Sequence, residues 1–240
     1  MSDLSWVTAI ILAGGLGKRL RTVVSDRSKV LAEVDGKPFL YHLLDQLAGT
    51  GIGQVIISTG YLARSIEQVL GPSCRGLKLK YSREDTSLGT AGALKQAREI
   101  IDSPRCLVMN GDSFVEFDPV SLFLFHRGKG AEITILIKRV SDINRYGAIG
   151  MNGEHEIVQF REKESASGPG FMNAGVYLIE MGILETIPDK TPSSIEYDFF
   201  PRMTGKGLYG CEAGGKFIDI GTPESYAQAE KFFVGKPVSV

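Results

Sequence analysis

Cysteine, histidine and tryptophan are scarce in this sequence, and neither sign of charge dominates it. The three cysteines, Cys74, Cys106 and Cys211, lie far apart with no C-x-x-C pairing, so neither a disulfide framework nor a zinc site is indicated. His42, His126 and His155 are equally scattered and read as surface or structural residues. The 28 acidic residues almost cancel the 27 basic ones, leaving a net charge of −1. No nucleic-acid partner and no membrane surface follows from such a balance. No apolar run approaches the length of a membrane span, no signal peptide precedes Trp6, and no internal repeat or linker is visible. These absences predict a protein of the reduced cytoplasm. With 43% hydrophobic residues, the 240-residue chain can fill one substantial core, so the expectation is a single domain over residues 1–240.

Glycine is abundant, and it clusters where the cations do. The apolar run Val7–Leu12 has the length of a buried strand. It stops at Gly14-Gly15-Leu16-Gly17, and Lys18, Arg19, Arg21, Arg27 and Lys29 follow closely. Without Cβ atoms a backbone can turn sharply and approach a ligand, and converging N–H groups backed by cations make a phosphate cradle. Two familiar phosphate loops do not fit. The pattern G-x-x-x-x-G-K-[ST] would need glycine at Leu12 and a hydroxyl at Arg19. The dinucleotide pattern G-x-G-x-x-G begins at Gly15 and Gly17 but meets Leu20 at its third glycine. Ser58-Thr59 also stand where an acidic residue should end the second strand, which argues against an NAD-binding oxidoreductase.

Further along, Val30–Val34 reads as a short extended piece. Pro38 opens a helix from Phe39 to about Ala48, with Leu40, Leu43, Leu44 and Leu47 at helical spacing. Val55–Thr59 is a second strand, a helix runs to about Leu70, and Leu77–Ser82 alternates as a third strand. Strand and helix alternating at this spacing predict a parallel sheet with right-handed crossovers. Ligands of such sheets sit at the carboxyl ends of the strands, where the glycine loop lies. Gly89-Thr90-Ala91-Gly92 begins a helix with Thr90 as a possible cap. Cys106–Met109 is another buried strand, leading into Asn110-Gly111-Asp112. Asp112 there suits a Mg²⁺ ion or a simple turn cap; the residues alone leave both open. A helix from Asp118-Pro119 and a β-rich run from Ala131 to Val140 follow. A helix capped near Ser193 is expected over 194–203, and Pro223 opens a last helix to about Phe233. Phe232 and Phe233 fit either the core or a homo-oligomer contact.

The segment from Leu12 to Lys29 resembles the signature L-A-G-G-x-G-T-R-L…P-K of the sugar-phosphate nucleotidylyltransferases, or NDP-sugar pyrophosphorylases. Lys18 replaces the usual threonine and Ser28 the proline. The resemblance implies an α/β fold: a Rossmann-like three-layer sandwich with a mostly parallel mixed sheet. The N-terminal half would bind nucleotide, and residues from about 113 to 215 the sugar phosphate. It implies Arg19 and Lys29 as the catalytic cations on the triphosphate. It places the nucleotide against Leu12, Ala13, Gly14, Gly15, Gly17, Lys18, Arg19, Glu84, Gly89, Thr90, Asn110 and Gly111. Asp112 and Asp219, the latter in Phe217-Ile218-Asp219-Ile220-Gly221-Thr222-Pro223, would hold Mg²⁺. Tyr146, Gly147, Glu162, Lys163, Asn173 and Gly175 would meet the sugar 1-phosphate, with Glu196-Tyr197-Asp198 behind that pocket.

The implied reaction is attack of a sugar 1-phosphate on the α-phosphorus of an NTP, releasing pyrophosphate. Within that family the chain is most similar to the short heptose 1-phosphate guanylyltransferases, through "RYGAIGMNGEHEIVQFREK" and "FMNAGVYL". GTP and a D-glycero-α-D-manno-heptose 1-phosphate are therefore the expected substrates. Enzymes for N-acetylmuramate 1-phosphate or mannose 1-phosphate carry similar motifs. A silent regulatory relative would be expected to lose Arg19, Lys29, Asp112 or Asp219, and all four are present.

Overall fold

The computed structural model describes residues 4–17, 19–144, 146–161, 167–188 and 192–233. In chain order its elements begin with strands β1 (Val7–Leu12), β2 (Glu33–Val34) and β3 (Lys37–Pro38). Helix α1 (Phe39–Leu47), β4 (Gln54–Thr59), α2 (Ala63–Leu70), β5 (Ser73–Cys74), β6 (Leu77–Arg83) and α3 (Gly89–Ala97) follow. Then come β7 (Arg105–Asn110), β8 (Ser113–Val115), α4 (Pro119–Lys129), β9 (Ile133–Val140), β10 (Ala148–Met151), β11 (Ile157–Arg161) and β12 (Gly170–Glu180). The described residues end with α5 (Met181–Glu185), β13 (Leu208–Glu212), β14 (Phe217–Asp219) and α6 (Pro223–Phe233).

Strands β7, β1, β4 and β6 lie side by side in parallel, and β12 joins antiparallel to β7. Strands buried on both faces read as continuous apolar runs, which is why VTAIIL and RCLVMN carry so little polar alternation. In β1, Ala9 and Ile11 face one core with α1, α2, α4 and α6, whereas Ile10 faces a second core with α3 and α5. The result is the expected three-layer, mostly parallel mixed sheet. Phe233 is buried, stacked at 3.8 Å on His42 and edge-on to Phe114, so it belongs to the core.

Two local expectations change. Val30–Val34 is not one extended piece: Lys29–Leu31 forms a 3₁₀ turn that buries both Val30 and Leu31 on the same core, and pairing resumes only at β2. The stretch after Ser193 is a π-helical turn, Ile195–Phe199, continued as a 3₁₀ turn to Met203. Its cap is Ser194, whose hydroxyl accepts the N–H groups of Glu196 and Tyr197.

The sheet splits at β12. One edge of β12 pairs with β7 over residues 176–180 and with β10 only at Phe171. Between those contacts Met172–Gly175 has no strand partner on that side among the described residues, and the pairing with β9 shifts register between Asn173 and Tyr177. Gly175 takes φ +77° there, and a Cβ on it would press against the Asn110 side chain at about 3.0 Å. The antiparallel pair β8–β14 sets Asp219 opposite Ser113, and Ile220 N–H donates to the Asp112 carbonyl at 2.9 Å. Two distant carboxylates thereby reach one place.

Candidate active site

The glycine loop runs across the carboxyl ends of the parallel strands and is fastened from both sides. Ala13 N–H donates to the Ser58 carbonyl at 2.7 Å, and Gly111 N–H donates to that of Leu12 at 2.9 Å. Close approach or a positive φ bears on three glycines, most firmly on Gly111 and Gly17. A Cβ on Gly14 would stand 3.0 Å from a Glu84 carboxylate oxygen, and one on Gly111 2.6 Å from the Leu12 carbonyl. Gly17, at φ +59°, leaves only 3.1 Å to Lys29. Gly15 differs, because nothing lies within 4 Å of its missing side chain. Gly15 itself is exposed, and the space beside it is open.

Two cavities flank the ends of β1 and β7. The smaller, about 310 Å³, is lined by Leu12, Ala13, Gly14, Gly15, Gly17, Lys29, Glu84, Gly89 and Thr90, together with Ser58 and Ser87. The larger, about 640 Å³, is lined by Arg19, Tyr146, Gly147, Asn173, Gly175 and Asp219, with Phe160, Tyr197 and Phe217 among its other walls. Asn110, Asp112 and Glu196 line both. The expected nucleotide residues thus fall mainly in one cavity and the expected sugar residues in the other. Arg19 is the exception, standing on the larger cavity beside Gly221 and Asp219. Gly111 packs beneath the loop. Lys18, Glu162 and Lys163 lie outside the described residues.

The charges are arranged around the junction. Lys29 Nζ pairs with Asp112 Oδ2, and Asp219 Oδ1 accepts from Gly221 N–H at 2.7 Å and from Ser225 Oγ at 2.9 Å. Glu84 is held by Leu88 N–H at 2.8 Å, and burial raises its carboxyl above the ordinary range. Tyr177 is fully buried under the larger cavity. Its hydroxyl accepts from Asn173 Nδ2 at 3.0 Å and donates to Glu196 Oε1 at 3.2 Å. Burial and then the Glu196 charge push that phenol well above its usual value.

A family model described as Nucleotidyl transferase matches residues 8–235. The chain belongs to that family. It is 38% identical over 224 residues to a D-glycero-alpha-D-manno-heptose 1-phosphate guanylyltransferase of Aneurinibacillus thermoaerophilus, covering 93% of this chain and 96% of the relative. It is 33% identical to a mannose-1-phosphate guanylyltransferase of Mycobacterium tuberculosis, covering 92% of this chain and 63% of that longer protein. The crystal structure of HddC from Yersinia pseudotuberculosis superposes with a TM-score of 0.84 at 33% identity, covering 95% of this chain and 99% of HddC. HddC has also been solved in complex with GMP-PN.

In this nucleotidyl transferase two residues stand apart from their expected settings. Thr90 does not cap α3; Leu88 holds the cap position without a side-chain bond. The Thr90 hydroxyl instead donates to Glu196 Oε2 at 3.0 Å and accepts from Ile195 N–H at 2.8 Å. Glu196, expected behind the sugar pocket, lies between the cavities. Its place depends on a π-helical turn and on partners remote in sequence, neither of which leaves a local pattern to read.

Proposed function

We propose that this chain joins a sugar 1-phosphate to GTP, giving a GDP-sugar and pyrophosphate. The proposed sugar is D-glycero-α-D-manno-heptose 1-phosphate. The observation that carries this reading is the meeting of the two cavities at Asn110, Asp112 and Glu196. A nucleotide in the glycine-lined cavity and a sugar phosphate in the larger one would bring their phosphates together at that junction. Both reactants are anions, so repulsion and alignment are the main obstacles. Fixing the geometry can remove roughly 7–11 kcal/mol from such a barrier.

In this reading an oxygen of the sugar phosphate attacks the α-phosphorus, and the bond to the leaving pyrophosphate breaks. No general base is required, because the phosphate nucleophile is already ionised at neutral pH. Lys29 sits beside the α-phosphate, and Arg19, from the larger cavity's side of the junction, stabilises the charge gathering on the leaving group. Backbone N–H groups of the glycine loop cradle the nucleotide phosphates. Asp112 and Asp219 offer only oxygen donors on one cavity wall, a set suited to a hard divalent cation. Among the described residues no cluster of three or more histidine, cysteine or acidic side chains occurs. Magnesium needs no such cluster, since it is usually held by one or two carboxylates plus substrate phosphates. Asp112 and Asp219 would hold it, and when bound it would neutralise phosphate charge near the reacting bond.

The 38% identity to the A. thermoaerophilus enzyme supports GTP and heptose over the other family substrates. Mannose is the second reading, favoured by the M. tuberculosis relative. The test is pyrophosphate release with Mg²⁺, crossing GTP, UTP, CTP, dTTP and ATP against heptose, mannose, glucose, N-acetylglucosamine and N-acetylmuramate 1-phosphates. Turnover confined to GTP with heptose supports the proposal. A preferred UTP pair overturns the base, and a preferred mannose pair overturns the sugar.

A further inference from the structure

The start of α3 and the segment 193–196 grip each other across the boundary between the two cavities. Ser193 N–H donates to the Leu88 carbonyl, and Ala91 N–H donates to the Ser193 carbonyl, both at 2.9 Å. Gly89, at φ +71°, is forced by the same contact, since a Cβ there would lie 2.3 Å from the Ser193 carbonyl oxygen. The Thr90 side chain completes the clasp. Its hydroxyl proton goes to Glu196 Oε2 and its lone pair to Ile195 N–H. Ser194 Oγ donates to the same Glu196 oxygen at 2.9 Å, while Glu196 Oε1 takes the Tyr177 hydroxyl. Tyr177 in turn accepts from Asn173 and, at 3.4 Å, from Asn110.

A threonine hydroxyl has one proton to give. At Thr90 that proton is committed to a carboxylate shared by both cavities. We infer that Thr90 is a positioning residue for the sugar side of the reaction, acting through Glu196 and the Tyr177–Asn173 pair. The inference rests on the proposed function. Its distinct content, which departs from the nucleotide contact the resemblance implies for Thr90, is that losing this hydroxyl weakens use of the sugar 1-phosphate far more than affinity for the nucleotide alone. The nucleotide-side cavity thereby carries a residue whose side chain sets the neighbouring cavity.

The test compares wild type, Thr90→Val and Thr90→Ser in the full chain. Nucleotide affinity is measured by calorimetry with GTP and no sugar, and KM for the sugar 1-phosphate by pyrophosphate release. Thr90→Val keeps the shape and removes the hydrogen bond; Thr90→Ser keeps the hydroxyl and should restore wild-type behaviour. A hydrogen bond to a charged group accounts for a change on the order of tenfold. The expected result is a sugar 1-phosphate KM raised about tenfold in Thr90→Val, with GTP affinity within about twofold of wild type. Weakened GTP binding with an unchanged sugar KM would overturn the inference, as would a Thr90→Ser variant no better than Thr90→Val. Silence of the wild type with every sugar 1-phosphate would instead remove the proposed function and this inference with it.

Discussion

Lys29 and Asp112, 83 positions apart in the chain, form an ion pair at the seam between the two cavities. The lysine is largely enclosed, with 12% of its side chain exposed, and the carboxylate is more open at 38%. An ammonium group occupying one carboxylate oxygen opposes a second cation at the same place by Coulomb repulsion. Lys29→Met is therefore expected to lower turnover and to tighten divalent-cation binding to the nucleotide-free protein, the latter on the order of tenfold. Mn²⁺ titration followed by electron paramagnetic resonance reads the second effect directly. Equal Mn²⁺ affinity in variant and wild type would mean that Lys29 does not restrain Asp112.

Arg19 is exposed on the larger cavity, close to Gly221. Exposed side chains outside the core contribute little to stability, within about 0.5 kcal/mol. Removing a group that stabilises developing charge costs about 10²–10³-fold in turnover. Arg19→Ala should thus leave the thermal midpoint almost unchanged and reduce kcat by roughly that factor. A variant with wild-type kcat would end the assignment of Arg19 to the leaving group.

Gly89 and Gly15 should respond in opposite ways to the same replacement. Gly89→Ala adds a Cβ at positive φ and drives it into a backbone carbonyl, so a loss of at least about 2 kcal/mol is expected in chemical denaturation. Gly15→Ala meets nothing in the protein and should unfold like wild type. Its cost should appear only when GTP is added, as weaker binding, because the new methyl group occupies space in the phosphate cradle. Undiminished GTP affinity in Gly15→Ala would argue against a close backbone approach there.

Two buried histidines predict the direction of acid sensitivity. His42 contacts the Val34 carbonyl at 2.9 Å, and His126 lies between Thr134 at 2.8 Å and Glu180 at 3.1 Å. Burial is the main cause lowering both below the usual histidine value. It outweighs the Glu180 interaction at His126 and the Val34 bond at His42. When the folded value lies below the unfolded one, the unfolded chain takes up protons first as pH falls. Stability is then lost as pH drops below about 6.5. His126→Asn should lose less thermal stability than wild type between about pH 7.5 and 5.5. An identical slope in both would show that His126 does not contribute.

The parallel strands were legible because burial on both faces writes itself as unbroken apolar runs, as in Val7–Leu12 and Cys106–Met109. The glycine loop was legible because close approach needs residues without Cβ, and those residues cluster locally. Glu196 was harder, since its importance comes from Thr90, Tyr177 and Ser194 converging on it, and two of those partners are distant in sequence. Thr90 shows the same limit from the other side: its position at a helix start suggests a cap, and only the fold reveals that its hydroxyl is spent across the cleft. The opening beside Met172–Gly175 also escapes a reading of the chain, because it arises from where β7 ends relative to β10.

The most direct measurement supplies wild-type protein with Mg²⁺, GTP and D-glycero-α-D-manno-heptose 1-phosphate and follows both products by mass spectrometry. The account predicts GDP-heptose and pyrophosphate in equal amounts, with no turnover when either substrate is omitted. GTP breakdown without a GDP-sugar, or no reaction under conditions where another nucleotide and sugar pair turns over, would contradict it.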